Sequence, residues 1–434
     1  MSQPTDSVNL FGLSRYDNQS SFFGDGHPLG EGLGYGVVAG FGVFFGVLTT
    51  LLVWSYSHFG GVKYDSEQFN TAGRSLKGGL LACDTVAHWC WPSTLLQSSV
   101  YVYQSGISGG YWYASGSVWP MVCFGFVAAE IKRKAPNAHT VLEIVKVRWG
   151  TVSHFVFMYF CLLTNVLITA QIILATSQVI NSLTGINIVA ACILTPSGIL
   201  LYTTTGGLVA TFLSSYLHTI VVYVVLIVMA SRVYLSGGGP LGSLDLVYEH
   251  LTYLATVQPL SGNKDGSYLT MFSLTGLWFG LVTRPFGQSA IASKPSAGYR
   301  GFLWGVIMWM AVPLTLATSL GLAAHALDLP FSDDEVNEGL VPAGVALVIW
   351  GKAGAILYVV ILIMAVTSAG AAEMVAVSTI LSYDVYRTYI RRRAKGPEML
   401  LVSRISMVIF GAVIAGVSIC FNYVGISLNY TLLI

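Results

Sequence analysis

The sequence predicts an all-α protein threaded many times through a membrane, and three observations carry that prediction. Of 434 residues, 54% are hydrophobic and only 9% charged, against about 25% charged in an ordinary soluble domain. A hydrocarbon core needs about 20 mostly apolar residues per helix, and such runs recur near 33–57, 78–104, 109–131, 151–183, 187–204, 206–236, 268–293, 299–327, 352–384 and 402–422. The basic residues are concentrated in alternate connecting segments rather than spread among all of them.

Residues 1–32 form a polar tail: no basic start leads directly into an apolar run, so the tail does not have the pattern of a cleaved signal peptide. The helix at 33–57 opens with "GEGLGYG", which neither follows a strand nor opens a dinucleotide-binding unit; its glycines are expected to let helices pack closely. Nine further spans follow it up to 422, with a longer connection at 237–267, and "GISLNYTLLI" begins an eleventh span that stops at Ile434. Cys83, Cys90, Cys123, Cys161, Cys192 and Cys420 lie in or beside apolar spans without paired spacing, as expected of packing residues rather than a disulfide framework or zinc site.

Charge sets the predicted orientation. The segments 58–77, 132–150, 294–300 and 385–404 hold 16 of the 21 basic residues, while the opposite segments hold Arg15, Lys264 and Lys352 beside acids such as Asp333, Asp334 and Glu335. The positive-inside rule then places the N-terminal tail and 237–267 outside the cytoplasm. "RTYIRRRAK" is expected to be a solvated cytoplasmic anchor, not a nucleic-acid contact. Asn18 of "NQS" falls on the side where glycosylation occurs.

There is no phosphate loop and no HExxH motif, and no catalytic constellation is visible. Two spans are instead interrupted. In "WCWPSTLLQSSV" Pro92 removes a backbone hydrogen bond and presses on the carbonyl of His88, so the helix is expected to bend or open. The span at 268–293 carries "TRPFGQ", with Pro285 and Gly287. Freed backbone groups in lipid are tolerated only in protein or at a cavity. Interruptions at corresponding places in two halves point to a central transport site.

Several strings carry a family resemblance: "FNTAGRSLKGGLLA", "LLQSSVYVYQSGISGGYWYASG", "GGLVATFLSSYLHT", "AIASKPSAGYRGFLWG" and "AVTSAGAAEMVAVSTILSYDVY". Together they resemble the sodium/solute symporter family, and within it the eukaryotic urea and proton symporters. The resemblance runs from about residue 30 to the end. It implies a LeuT-type five-plus-five inverted repeat preceded by one helix: the extra helix at 33–57, a first repeat at 78–236, an extracytoplasmic loop at 237–267 and a second repeat at 268–434. Because family members continue further, the last core helix is expected to be incomplete and the chain truncated.

By that resemblance, Ala82 and Thr85 of the first core helix and Ala365, Ser368 and Ala369 of the eighth occupy the coupling-ion positions. Sodium-coupled relatives usually place two adjacent hydroxyl residues in the eighth helix. Ala369 removes one of those oxygens, and Ser215 and His218 stand where many relatives have aspartate and glutamine. Both departures favour a proton over sodium as the driver, although a sodium ion at the coupling-ion positions remains the alternative. Glu373, one turn beyond Ala369, resembles the urea branch; Asp84, with His88 one turn later, does not follow the family pattern. A charged group at the bilayer centre costs at least a few kcal/mol and marks function by default. Glu373, Asp84 and His218 are therefore the proton-coupling candidates.

Urea is planar and neutral, with four N–H donors around one acceptor oxygen. A site for it calls for carbonyl or carboxylate acceptors, one donor and flat apolar walls. Trp89, Trp91, Gln97, Tyr113 and Glu373 supply those types, with Tyr111 and Trp112 as either wall or interfacial belt. Trp89 falls where sugar-transporting relatives bind substrate. The run "TRPFGQSAIASKP" is shorter than the family's and lacks its Asp-Gln pair, leaving a gate at Phe286 open. The implied function is import of urea, or a similar small polar solute, by cation symport in the plasma membrane, with no cofactor, no enzymatic activity and no nucleic-acid partner. The alternatives are a non-transporting nutrient receptor, a regulatory fragment of a full-length symporter, or a sodium-coupled carrier of another solute such as a polyamine.

Overall fold

The structure is a computed structural model that describes residues 20–24, 26–60, 65–237, 239–257, 285–294 and 298–426. Thirteen helices are used below: α1 (Glu31–Gly60), α2 (Ser66–Thr71), α3 (Gly78–Trp89), α4 (Pro92–Ser105), α5 (Ile107–Lys134), α6 (Val141–Thr184), α7 (Ile188–Tyr234), α8 (Leu244–Val257), α9 (Pro285–Ala292), α10 (Gly298–Ala326), α11 (Asp333–Asn337), α12 (Val341–Ile390) and α13 (Gly396–Val424). Among the described residues, eight helical segments are long and apolar enough to cross a membrane. The predicted span 78–104 is the split pair α3 and α4; most of 268–293 lies outside the described residues, including Thr283 and Arg284 of "TRPFGQ", whose Pro285 and Gly287 fall at the start of α9. So does the chain after 426.

The predicted spans 187–204 and 206–236 run together as α7, turned sharply at Gly207 (φ 50°, ψ −141°). A Cβ there would stand 2.6 Å from the Phe69 ring and carbonyl, so both the positive φ and the close approach require glycine. Gly150 and Gly351 break α6 and α12 in the same way, just before the predicted span starts at 151 and 352. Glycine thus sets where a surface turn becomes a membrane helix.

α12 is the centre of the bundle: residues 358–380 are buried almost without interruption, against α3, α4, α6 and α7. α1 is peripheral, packed on α7. Of the glycines in "GEGLGYG" only Gly34 serves packing, since a Cβ there would meet Thr184 Oγ1 at 2.4 Å, whereas Gly30, Gly32 and Gly36 have open space around them. A close backbone approach between helices comes about two turns on, at Gly42 against Gly198.

The four basic segments gather at one end, as the charge pattern requires. Leu76 pairs with the end of α9 (Leu76 N to Ala292 O, 3.1 Å; Lys294 N to Leu76 O, 3.0 Å), and Arg74 Nη2 donates to the Asn137 carbonyl at 3.0 Å. Lys132, expected in a solvated loop, is buried and donates from Nζ to the Ile291 carbonyl. Its long apolar stem explains the difference: it packs along the helices while the ammonium reaches a backbone acceptor. At the opposite end Leu29 N bonds the Leu183 carbonyl at 2.8 Å and His250 Nδ1 contacts the Ala326 carbonyl at 2.8 Å.

Candidate functional site

α3 stops at Trp89 and α4 restarts with Pro92 in its first turn, where a missing N–H costs nothing. Side chains replace the lost backbone bonds. The Trp91 indole Nε1 donates to the His88 carbonyl at 2.5 Å, and Thr94 Oγ1 donates to the Trp89 carbonyl at 3.2 Å. The proline-interrupted helix is therefore open in backbone but largely satisfied in polarity.

Beside this break, five buried side chains form a continuous polar chain across four helices. Ser289 Oγ of α9 donates to Asp84 Oδ2 at 2.6 Å, and Asp84 Oδ1 lies 3.2 Å from His88 Nε2 on the next turn of α3. His88 Nε2 is 3.4 Å from Ser215 Oγ of α7, which is 3.2 Å from Ser368 Oγ of α12. None of the five is more than 2% exposed. Thr219, one turn after Ser215, ties α7 to α3 through the Cys83 carbonyl at 3.0 Å. Burying an acid and an imidazole in a membrane helix is expensive unless they are paired with each other or neutralised by a proton, and this chain provides the pairing.

The expected ion positions are only partly brought together. Ser368 joins the chain, but Ala82 and Thr85 face α10: a Cβ on Gly305 would stand 2.5 Å from Thr85 Cβ and 3.1 Å from the Ala82 carbonyl. The Thr85 hydroxyl donates back to Leu81 in its own helix at 2.8 Å. The reason is helical geometry, because residues two apart are ~200° apart around the axis, so Ala82 and Asp84 cannot address one neighbour. Ala365 and Ala369 are buried on α12 and offer no side-chain oxygen. His218 is fully buried one turn from Ser215, but no hydrogen bond joins it to the chain. Glu373 is 2% exposed, one turn beyond Ala369.

Of the candidate solute residues, Trp89 and Trp91 flank the break and Gln97 follows in α4. Trp89 sits with its ring 5.4 Å from Trp91 and 6.3 Å, edge to face, from Trp309 of α10. The stripe Gly301, Gly305, Trp309 explains that contact: the two glycines let α10 press on α3 near Leu81 and Thr85, and the tryptophan follows where α3 ends. Sequence reasoning passed over Trp309, whose signal was its four-residue spacing from those glycines. Among the described residues, the Trp309 indole Nε1 is shielded from solvent and has no hydrogen-bond partner; the same holds for both amide atoms of Gln97 and the hydroxyl of Ser98 on α4. Tyr113 is half-buried with its ring 5.3 Å from Tyr101, whereas Tyr111 is 52% exposed and belongs to the outer belt. Arg284 and the side chain of Phe286 lie outside the described residues.

The two ends are held by charged clasps. At the basic end Glu67 accepts from Arg74 Nη2 at 3.2 Å and pairs with His139 Nε2 at 2.9 Å, and His139 stacks on Tyr383 at 4.2 Å. The hydrogen bond from His139 leads in holding the Glu67 carboxyl down at about 2. Burial works against a charged His139, but its bonds to Glu143 and Glu67 carry its pKa above the ordinary value. At the other end Glu335 accepts from Ser21 Oγ (2.8 Å), Phe22 N (3.0 Å), Phe23 N (2.8 Å) and Ser332 N (2.8 Å), closing a capping box on α11. Burial would raise its pKa; these bonds outweigh that and hold it low.

Residues 69–431 match the Sodium:solute symporter family. The chain is 47% identical to the "Urea-proton symporter DUR3" of Oryza sativa subsp. japonica, over 94% of this chain and 60% of that protein. It is 40% identical to "Probable urea active transporter 1" of Schizosaccharomyces pombe, over 94% of this chain and 64% of that one. The chain thus spans less than two thirds of the length of these curated relatives. Among solved structures, the substrate-bound outward-open state of a Na+-coupled sialic acid symporter superposes with a TM-score of 0.67 at 12% identity, covering 90% of this chain and 82% of that one. That likeness shows the fold, the LeuT-type arrangement expected from the sequence, and the match across residues 69–431 establishes that the chain belongs to the sodium:solute symporter family.

Proposed function

We propose that this chain is the membrane core of a secondary transporter that brings urea into the cell together with a proton. The single observation that carries the reading is the buried chain Ser289–Asp84–His88–Ser215–Ser368 at the broken helix. It occupies the middle of the bundle, it holds an acid and a base that can share one proton, and it links α3, α7, α9 and α12. Helices that rock against each other would break and remake those bonds, so the chain's protonation state and its facing state are linked. Sodium wants several oxygen ligands; here Ala369 supplies no side-chain oxygen, and the Ser215 and Ser368 hydroxyls bond each other. The names of the relatives agree with urea and with protons.

In this reading the solute lies along Trp89, Trp91, Gln97 and Tyr113, with Glu373 as an acceptor for its N–H groups. Trp91 contributes only its ring, because its N–H is spent on His88. The one donor that the urea oxygen needs is the Trp309 indole, whose N–H has no partner among the described residues. A buried donor left unmade costs ~1–3 kcal/mol, which an entering carbonyl returns. One proton crossing ~100 mV supplies ~2.3 kcal/mol, enough for roughly a fortyfold solute gradient. The basic end faces the cytoplasm and the N-terminal tail faces out, in the plasma membrane, with 78–236 and 268–434 as the two repeats.

The test is radiolabelled urea uptake in cells that lack their own carrier. Uptake should rise as external pH falls and persist when choline replaces sodium. An absolute sodium requirement sinks the proton reading, and absence of urea uptake sinks the substrate.

A further inference from the structure

A second buried acid–base pair lies at the basic end of α12, away from the central chain. Asp384 Oδ1 is 3.2 Å from His154 Nε2 of α6 and accepts from Thr140 Oγ1 at 2.9 Å; Asp384 and His154 are both fully buried. The other ring nitrogen of His154, Nδ1, is 2.7 Å from the hydroxyl of Tyr389, a residue that is 37% exposed. Asp384 Oδ2 has no hydrogen-bond partner among the described residues. Both imidazole nitrogens are thus engaged, one toward a buried carboxyl and one toward a hydroxyl at the surface.

We propose that Asp384, His154 and Tyr389 form a proton relay through which the symported proton leaves toward the basic end. The proposal rests on the proton reading above. A neutral imidazole has one donor and one acceptor nitrogen. A proton delivered to one side of His154 can therefore leave from the other, with the ring returning to neutral and the Tyr389 hydroxyl passing a proton to water. No covalent bond other than N–H and O–H changes, and the proton count balances. A purely structural tie between α6 and α12 would need one bond, such as Thr140 to Asp384; it has no use for a buried carboxyl oxygen left open or for a second contact leading to the surface.

The charged and titratable groups around the relay are Glu143 and Lys146 from α6 and Arg387 and Tyr389 from α12. Lys146 Nζ lies over the Tyr389 ring at 4.5 Å, at the outer end of the relay. Asp384 stands 11 residues beyond Glu373 on the same helix, ~16 Å along its axis at 1.5 Å per residue. The central site and this exit therefore move on one element.

The test separates net proton-coupled uptake from urea–urea exchange, which needs no proton release. Both are measured in vesicles containing the full chain, with surface or vesicle content measured in parallel. Tyr389→Phe keeps the ring stacked on Phe155 (4.9 Å) and under Lys146 while deleting the hydroxyl. Its proton-driven uptake should fall by about tenfold or more, given that a positioned proton carrier contributes ~100-fold or more, while exchange stays within about twofold. Asp384→Asn should give the same split. Equal losses of uptake and exchange make the cluster structural and overturn the relay, as does no loss of either. If the unaltered chain takes up urea with no accompanying proton entry, the proton reading falls and the relay with it. Proton entry that is normal in both variants overturns the relay alone.

Discussion

The middle of this molecule and its two ends treat buried polar groups differently. At the ends two carboxylates are held by several partners each, although Asp384 Oδ2 and Arg74 Nε at the basic end have none among the described residues. Glu335 collects four donors from the tail and the α11 cap, and Glu67 is bound by Arg74 and His139 at once. In the middle, among the described residues, the Gln97 amide and the Trp309 N–H lack partners beside a proline-broken helix. A protein that leaves donors and acceptors unmade in its interior forfeits ~1–3 kcal/mol for each. The difference fits the proposed function: the clasps at the ends hold the fold, and the open groups in the middle are where a solute would complete the bonding.

The largest effect that would break this comparison comes from the acid of the central chain. Asp84→Asn removes the titratable partner of His88 and should abolish pH-driven accumulation of urea while leaving protein in the membrane, read as the steady-state inside-to-outside urea ratio. A variant that still accumulates urea normally would make the central chain an ordinary packing tie, like those at the ends.

Next come the walls and the donor of the solute site. Trp89→Ala and Trp309→Phe should each weaken apparent urea affinity by about tenfold, one factor of ten being ~1.4 kcal/mol, with surface expression retained. Trp309→Phe keeps a ring against Trp89, so its cost isolates the N–H. Unchanged kinetics in either would return that tryptophan to packing.

The basic end gives a smaller effect with a definite sign. His139 has a raised pKa, so its contribution is full below its ordinary 6.5 and is lost as pH rises through the higher folded value. Glu67 is held down at about 2, so its contribution is full above the ordinary 4.5 and is lost only in strong acid. The clasp is therefore strongest between those two ordinary values and loosens on the alkaline side. Thermal stability of the purified chain should decline modestly from pH 6 toward alkaline pH, and His139→Phe, which keeps the stack on Tyr383, should flatten that decline. An identical slope in the variant would remove His139 from the account.

The smallest transport effect is expected at the acidic end. Glu335→Gln should lower thermal stability, by about 1–3 kcal/mol for a buried group left poorly bonded, with urea affinity unchanged. A loss of affinity without a loss of stability would show that the outer clasp belongs to the solute path.

Much of this was legible in the sequence. Span positions followed from the length and apolarity of the runs, and the glycines Gly150, Gly207 and Gly351 fall where those runs were expected to begin or divide. Pro92 marked the break because a missing N–H has one consequence wherever it occurs. What could not be read was partnership across helices. Asp84 and His88 were visible as a pair one turn apart, but Ser289, which completes their chain from the other side, was only one more serine in a region of weak resemblance. Thr85 was assigned to the ion positions by family likeness, and in this structure its hydroxyl turns back to its own helix. Asp384 and His154 are 230 residues apart and carry no spacing signal at all.

The measurement that bears most directly on the account is urea accumulation in vesicles of the purified chain, without sodium and with an imposed inward proton gradient, comparing the unaltered protein with Glu373→Gln. Glutamine keeps the shape of Glu373 and mimics its protonated form, so the variant should bind and exchange urea yet fail to concentrate it, while the unaltered chain concentrates it. If the glutamine variant accumulates urea against its gradient with normal pH dependence, Glu373 is not a coupling group; if the unaltered chain accumulates none until sodium is added, proton coupling through the buried centre is wrong.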